Sequence, residues 1–262
     1  MVKYNEKKIA NELLRGKGYF IVKNLFSKKE IKQARENIIE LAKINAPKIN
    51  KKDALSVLSA TNHVWNLIDK HKIFRKLVQH NLIIEVFSII LGSELKLGSF
   101  AARIQQPGDK AQLPHLDYPY WDMYNIKSFP KNINSSFAMN CQSTIMIDDF
   151  TEKNGATMVG PGTQLRGYYP KENEFWPNMI QTTGKAGSVM LMTGLLWHGA
   201  GPNKTNIPRV GILGQYLPKF IKPMEDQLAS VDMNVINKCS KKLKELLGVG
   251  YPYPQVLDTS KK

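Results

Sequence analysis

Residues 187–199 read GSVMLMTGLLWHG, a short apolar run that is bounded by glycines and contains His198 near its end. After a polar turn, residues 209–217 continue with RVGILGQYL, which has the same character. Three earlier runs are similar: LKLGSFAARIQ (95–105), FAMNCQSTIMI (137–147) and GATMVGPG (155–162). Short β-prone runs separated by turn residues at this spacing predict an antiparallel sandwich or barrel.

Helical patterns flank this β region on both sides. On the N-terminal side they cover residues 5–16, 28–44, 63–78 and 81–92, with a short strand, YFIVKN, at 19–24. On the C-terminal side a last helical segment is predicted at about 224–247, followed by a tail rich in Pro and Tyr. We therefore expect one mainly β domain over residues 1–262, with a largely helical flank (1–94), a two-sheet core (95–218) and a C-terminal helix and tail (219–262).

Local signals predict one helix start, one helix end and one turn within this pattern. Ser27 and Glu30 have the spacing of a capping box, which predicts the start of the second helix. Gly92 follows the apolar run NLIIEVFSIIL and predicts its C-terminal end. The pair Asn154-Gly155 lies between two β-prone runs and predicts a type I′ hairpin turn.

Composition limits the class of protein. The net charge is +15, and 14 basic against five acidic residues fall in residues 1–52, whereas the β region is nearly balanced. Only six of the 37 basic residues are Arg, the residue that nucleic-acid recognition favours, so we interpret the charge as a solvated lysine-rich surface that can steer an anionic substrate. We find neither a membrane-spanning apolar run nor a secretory signal, and two isolated cysteines, Cys141 and Cys239, suit a cytoplasmic protein.

The stretch PHLDYPYWD, residues 114–122, contains the first candidate metal ligands. Because successive side chains of a strand alternate between faces, His115 and Asp117 point the same way and Leu116 points away. By itself this pattern is common in polar surface turns. Together with His198, after an apolar strand, it gives the two imidazoles and one carboxylate of the non-haem iron oxygenases, which leave coordination positions open for a cosubstrate and O2.

Arg209 lies eleven residues after His198, at the start of the next predicted strand. A dicarboxylate that chelates iron through its 2-oxo acid end needs a cation for its far carboxylate. The planar guanidinium of an arginine binds a carboxylate through two parallel hydrogen bonds. Considered alone, Arg209 would be interpreted as a surface strand residue. Because it follows His198 at this spacing, it is a candidate ligand for the cosubstrate.

These segments resemble the phytanoyl-CoA dioxygenase (PhyH) family of Fe(II)- and 2-oxoglutarate-dependent oxygenases. The resemblance rests on His115-x-Asp117, on IDDFTEKNGATMVGPGTQ at 147–164 and on HGAGPNKTNIPR at 198–209, and it covers about residues 95–218. It implies a double-stranded β-helix (jelly-roll, cupin-like) core, Fe(II) ligated by His115, Asp117 and His198, and Arg209 on the 5-carboxylate of 2-oxoglutarate.

By the same match, Gln112 and Thr144 occupy positions that often contact the cosubstrate. The sequence departs from the family at Ala200, where a Ser is frequent, and at Gln164, where the family often has His. Asp117 itself is retained, whereas related halogenases have Gly or Ala there, so the resemblance implies hydroxylation over halogenation.

The substrate is a small molecule in this interpretation. Tyr118 and Trp121, directly after the carboxylate ligand, are candidates for the substrate wall, although packing under the loop 122–136 explains such rings equally well. A nucleic-acid-associated oxidative demethylase and a non-catalytic jelly-roll binding protein remain as alternatives. The sequence does not determine the substrate's identity or the oligomeric state.

Overall fold

A computed structural model describes residues 4–45, 62–117 and 133–250. None of the helices in these three ranges combines the length and the apolar character that a membrane crossing requires. The helices are α1 (Glu6–Arg15), α2 (Lys28–Asn45), α3 (Leu67–Lys70), α4 (Lys72–Val78), α5 (Asn81–Leu91), α6 (Glu172–Phe175), α7 (Gln227–Ser230), α8 (Met233–Asn237) and α9 (Lys241–Leu246). The strands are β1 (Tyr19–Val22), β2 (His63–Val64), β3 (Lys96–Gln105), β4 (Cys141–Met146), β5 (Met158–Val159), β6 (Ile180–Gln181), β7 (Val189–Thr193), β8 (His198–Gly199) and β9 (Arg209–Leu217).

The described strands form two antiparallel sheets. The larger has the order β1-β7-β4-β9-β3-β2, and the smaller has the order β6-β5-β8. The crossovers between sequence-distant strands place β9 between β3 and β4 at the centre of the larger sheet. The predicted antiparallel β core with flanking helices is confirmed.

The two faces of the larger sheet differ in polarity. On β3, Phe100, Ala102 and Ile104 join the main apolar core, which also contains buried residues of α1, α2 and α5. The alternate residues, including Arg103 and Gln105, lie on the opposite face because side chains of a strand alternate. A smaller apolar cluster on that face contains Met146, Phe150, Ala156, Val159, Met190, Met192 and Leu196. The helices therefore cover one face and leave the other, more polar face to line a cavity.

The predicted helix ends agree with the structure. The backbone N–H of Ser27 donates to Oε2 of Glu30 at 2.8 Å, and the N–H of Glu30 donates to Oγ of Ser27 at 3.3 Å, so the capping box is formed. Gly92 ends α5 with a φ of 95°, and its N–H donates to Ser88 O at 3.0 Å. A residue with a side chain would be strained at that φ.

The prediction of one helix over residues 63–78 is wrong at its start. His63 and Val64 form β2, paired with Arg103 and Ala102 of β3, and the helix begins at Leu67 in two short pieces. Pairing with the edge of the larger sheet satisfies backbone groups that local propensity alone would have placed in a helix. The helical segment predicted at 224–247 is likewise divided, into α7, α8 and α9.

The predicted type I′ turn is also wrong. Gly155 has a φ of 86°, but Asn154 does not have the positive φ that such a turn requires at both central residues. Instead, Oδ1 of Asn154 accepts a hydrogen bond from the N–H of Thr151 at 2.8 Å. This side-chain turn lets the chain pass to β5, which pairs with β6 and β8 instead of folding back on β4.

Candidate active site

Backbone pairing brings the distant histidines together. The N–H of His115 donates to the carbonyl of His198 at 3.0 Å, and the N–H of His198 donates to the carbonyl of His115 at 3.1 Å. Asp117 is fixed in turn by its N–H, which donates to Gly194 O at 2.9 Å. These bonds join the segment that precedes residue 118 to the strand end that carries His198.

The three side chains converge on one point. Nε2 of His198 lies 3.1 Å from Oδ2 of Asp117, and Nε2 of His115 lies 3.8 Å from Oδ1. All three candidate ligand atoms lie within 4.8 Å of one another. Leu116 points away, into an apolar cluster with Trp197. The spacing therefore predicted correctly that His115 and Asp117 share a face.

Backbone carbonyls orient both imidazole rings. Nδ1 of His115 lies 3.0 Å from Leu113 O, and Nδ1 of His198 lies 2.8 Å from Leu196 O. A carbonyl can only accept, so each Nδ1 carries a hydrogen, which leaves Nε2 of each neutral ring as the nitrogen able to ligate a metal. Hydrogen bonds of this kind are the usual way in which metal-binding histidines are held.

The carboxylate is ionised at neutral pH. Burial alone would raise the pKa of Asp117, but the neighbouring His198 outweighs it and, with His115 and Gln142, lowers that pKa to about 2. Burial lowers the pKa of His115. Burial also opposes protonation of His198, but the attraction of Asp117 prevails and raises its pKa. An ionised carboxylate is the form that binds a metal.

A cavity of about 160 Å³ opens onto this cluster. Its lining includes Arg209, Gln112 and Thr144, the three cosubstrate residues predicted from the sequence. The other lining residues are His63, Arg103, Gln142, Thr157, Met192, Gly199, Ala200 and Leu213, together with the three candidate ligands. The candidate metal ligands and the candidate cosubstrate residues thus line the same cavity.

Arg209 is a buried cation, with 4% of its surface exposed. Its guanidinium lies 3.9 Å from the ring centroid of Phe150, and its Nη2 donates to Gly155 O. Its Nε–H is buried and has no acceptor in the described part of the chain. Burial lowers the pKa of Arg209 to about 10, so the side chain stays charged at neutral pH. A charged group with an unpaired donor indicates an anionic ligand.

Two hydrogen bonds join Gln112 and Ala200 at the rim of the cavity. The N–H of Gln112 donates to Ala200 O at 2.9 Å, and the N–H of Ala200 donates to Oε1 of Gln112 at 3.2 Å. Ala200, where the family often has Ser, therefore contributes its backbone to the cavity lining. Gln164 lies elsewhere, where its Nε2 donates to Gly16 O at 2.9 Å.

Two further residues of the site, Gln142 and Asn140, were not predicted from the sequence. Nε2 of Gln142 donates to Oδ2 of Asp117, and Nδ2 of Asn140 donates to the carbonyl of Asp117 at 2.7 Å. Strand alternation could have found Gln142, because it lies two residues before Thr144 on the same face. The same rule places Arg103 on the cavity face of β3. Tyr118 and Trp121 lie outside the described residues.

Comparison with known sequences identifies the family. The phytanoyl-CoA dioxygenase (PhyH) family matches residues 14–211, a range that includes all three candidate metal ligands and Arg209. The chain belongs to the phytanoyl-CoA dioxygenase family. Its domain is therefore of the Fe(II)- and 2-oxoglutarate-dependent dioxygenase class, with iron and 2-oxoglutarate as cofactors.

Two curated relatives and one solved structure illustrate the similarity. Dioxygenase ALT11 of Alternaria alternata is 31% identical over 152 residues, which cover 57% of this chain and 47% of that protein. Dioxygenase sphC of Aspergillus fumigatus is 26% identical over 204 residues, which cover 74% of this chain and 53% of that protein. The chain thus spans about half the length of these two relatives.

The solved structure is that of the epimerase SnoN in complex with Fe3+, alpha-ketoglutarate and nogalamycin RO. It superposes with a TM-score of 0.58 at 17% identity, covering 81% of this chain and 83% of that one. The likeness confirms the jelly-roll fold.

Proposed function

We propose that this chain uses Fe(II), 2-oxoglutarate and O2 to hydroxylate an unactivated C–H bond of a small molecule, releasing succinate and CO2. His115, Asp117 and His198 hold the iron, and Arg209 binds the 5-carboxylate of 2-oxoglutarate. The observation that carries the proposal is the convergence, in one cavity, of three ligand atoms within 4.8 Å and a buried arginine with an unpaired Nε–H.

The donor set fits ferrous iron better than a structural zinc. Two imidazole nitrogens and one carboxylate are typical of non-haem iron oxygenases, whereas closed zinc sites favour thiolates. Cys141 is on β4, but it belongs to the apolar core on the helix-covered face of the sheet. Burial raises its pKa, so the thiol stays protonated and offers no thiolate.

When bound, iron and 2-oxoglutarate supply the oxidation: one atom of O2 enters succinate and the other enters the hydroxylated product, with loss of CO2. The chain's part is to bind and orient. Gln142 and Asn140 fix the carboxylate and backbone of Asp117, and backbone carbonyls fix both rings. The stacking of Arg209 on Phe150 fixes the far end of the cosubstrate relative to the metal.

The test is succinate formation from 2-oxoglutarate in the presence of Fe(II) and O2, scored against a panel of small molecules. We expect Asp117→Ala to abolish it and to lose Mn(II) binding measured by calorimetry. Glu36→Gln, an exposed carboxylate on α2, is the matched control and should retain both. A wild-type protein that binds metal and 2-oxoglutarate but forms no succinate with any candidate would be a binding protein instead.

A further inference from the structure

The cavity contains a second guanidinium, that of Arg103. In the pairing of β3 with β9, Arg103 lies opposite Gly211 and Gln105 lies opposite Arg209. Residues two apart on a strand share a face, so both arginines face the cavity, with a glycine opposite Arg103. A Cβ at Gly211 would come within 2.8 Å of the Phe150 ring that stacks on Arg209. The glycine thus leaves room for the Phe150 ring that stacks on Arg209.

Arg103 is held by a neutral partner. Its Nη1 lies 3.1 Å from Nε2 of His63, its cross-strand neighbour on β2. Burial, and then the charge of Arg103, lower the pKa of His63 to about 4, so the imidazole is neutral and accepts the hydrogen bond. The ring of His63 stacks on Trp65 at 5.0 Å, which fixes its orientation. His63 therefore positions the guanidinium without neutralising it.

In the proposed complex, the described lining of the cavity keeps one positive charge without a counter-charge. Its described lining has Arg103 and Arg209 as cations and Asp117 as the one carboxylate. Fe(II) and the dianion 2-oxoglutarate cancel each other, which leaves a net charge of one. Asp109 and Asp148 attract the arginines from outside the lining, but among the described residues neither forms an ion pair with Arg103 or Arg209, and Asp148 pairs with Arg35 instead. A positive charge without a counter-charge in a partly buried site is costly, so we expect an anion to bind there.

The two arginines differ in depth. Arg209 is buried and has an unpaired Nε–H, whereas Arg103 is half-buried and lies next to β2, at the edge of the larger sheet. The deeper cation is the one that the proposed function assigns to 2-oxoglutarate. The shallower cation is the more accessible of the two and is left for a second ligand.

We propose that Arg103, positioned by His63, binds a carboxylate or another singly charged acidic group of the substrate. The substrate is then a small organic anion. This inference rests on the proposed function, because it assigns Arg209 to 2-oxoglutarate and the remaining cation to the substrate. His63 is a positioning residue, and Arg103 is the binding residue.

The experiment measures anion binding to protein saturated with Mn(II) and 2-oxoglutarate. The probes are benzoate and hexanoate, each compared with its neutral amide, and the readout is the paramagnetic relaxation of probe protons by Mn(II), with Zn(II) as the diamagnetic reference. We expect relaxation by the acids and not by the amides. Arg103→Gln should weaken acid binding at least about tenfold, while the Kd for 2-oxoglutarate changes less than about threefold.

Two further variants control for folding and charge. Arg103→Lys should retain part of the acid binding, because it keeps the charge but not the planar fork. Arg15→Gln, an exposed arginine at the end of α1, should behave as wild type. Circular dichroism melts show whether each variant is folded.

The outcomes separate this inference from the proposed function. If Mn(II) and 2-oxoglutarate fail to bind wild type, the proposed function fails. If they bind but neither acid does, or if the amides bind equally well, the substrate inference alone is overturned. If Arg103→Gln weakens 2-oxoglutarate binding tenfold or more, Arg103 serves the cosubstrate and the inference is again overturned.

Discussion

Replacing Arg209 by lysine tests the assignment of the cosubstrate's far carboxylate. The guanidinium is buried, stacks on Phe150 at 3.9 Å and has an Nε–H with no acceptor among the described residues. Arg209→Lys keeps the positive charge but offers a single point donor in place of a fork. It therefore isolates the geometry of the interaction from its charge.

The expected magnitude follows from the number of hydrogen bonds lost. A hydrogen bond to a charged group contributes about 1.5–3 kcal/mol, and lysine forfeits one of the two bonds of the fork. A loss of about 1.5–3 kcal/mol corresponds to a rise in the Kd for 2-oxoglutarate of roughly 10- to 150-fold. Burial also lowers the pKa of an ammonium at this position, which acts in the same direction.

The assay is calorimetric titration of Mn(II)-loaded protein with 2-oxoglutarate and, separately, with 2-oxovalerate, which replaces the far carboxylate by a methyl group. We expect 2-oxovalerate to bind wild type weakly and to be insensitive to the substitution, while Mn(II) affinity stays within about threefold. An unchanged Kd for 2-oxoglutarate would refute the assignment. So would an equal loss for both ligands, because the lost interaction would then not involve the carboxylate.

Three other predictions concern the support of Asp117 and the start of α2. Gln142→Leu removes the hydrogen bond to Asp117 Oδ2 and should weaken Mn(II) binding about 10- to 100-fold in a chelator competition, whereas an unchanged affinity would show that the bond does not support the ligand. Ser27→Ala should lower the free energy of unfolding by about 1 kcal/mol in urea denaturation, and a loss below the error of the fit would argue against the capping box. For Glu30, burial raises the pKa, but Lys76 and Ser27 outweigh it and lower the pKa to about 2. A carboxyl group whose pKa is lower in the folded than in the unfolded state stabilises the fold above the unfolded pKa, and this contribution is lost as the pH falls toward 2. The free energy of unfolding of Glu30→Gln should therefore fall less than that of wild type between pH 6 and pH 2.5. The expected difference is up to about 1 kcal/mol after solvent screening. Identical acid sensitivity would contradict this.

The candidate ligands could be found from local sequence because their signals are short. A pair of residues two apart on an extended segment must share a face, which predicted the common direction of His115 and Asp117. The capping box is equally local, since Ser27 and Glu30 are within one helical turn. Chemistry then limits what two imidazoles, one carboxylate and a following arginine can bind.

The predictions from sequence were wrong where pairing with a distant segment outweighs the local preference for a helix or a turn. His63 and Val64 continue a helical pattern in sequence, but they pair with β3, some forty residues later in the chain. Asn154 precedes a glycine, as in a two-residue hairpin turn, yet its side chain forms a different turn and the next strand joins another sheet. Neither outcome can be read from a window of a few residues.

The sequence by itself determined the short β runs, the helix caps and the kinds of atom available to bind a metal, because these depend on side-chain chemistry and on periods of two or 3.6 residues. Only the tertiary structure decided that His198 meets His115, that Gln142 supports Asp117 and that Arg103 lies beside Arg209. These contacts depend on antiparallel backbone pairing between segments that are far apart in the chain. The register of that pairing is set by which faces of the strands are buried once the whole sheet has formed.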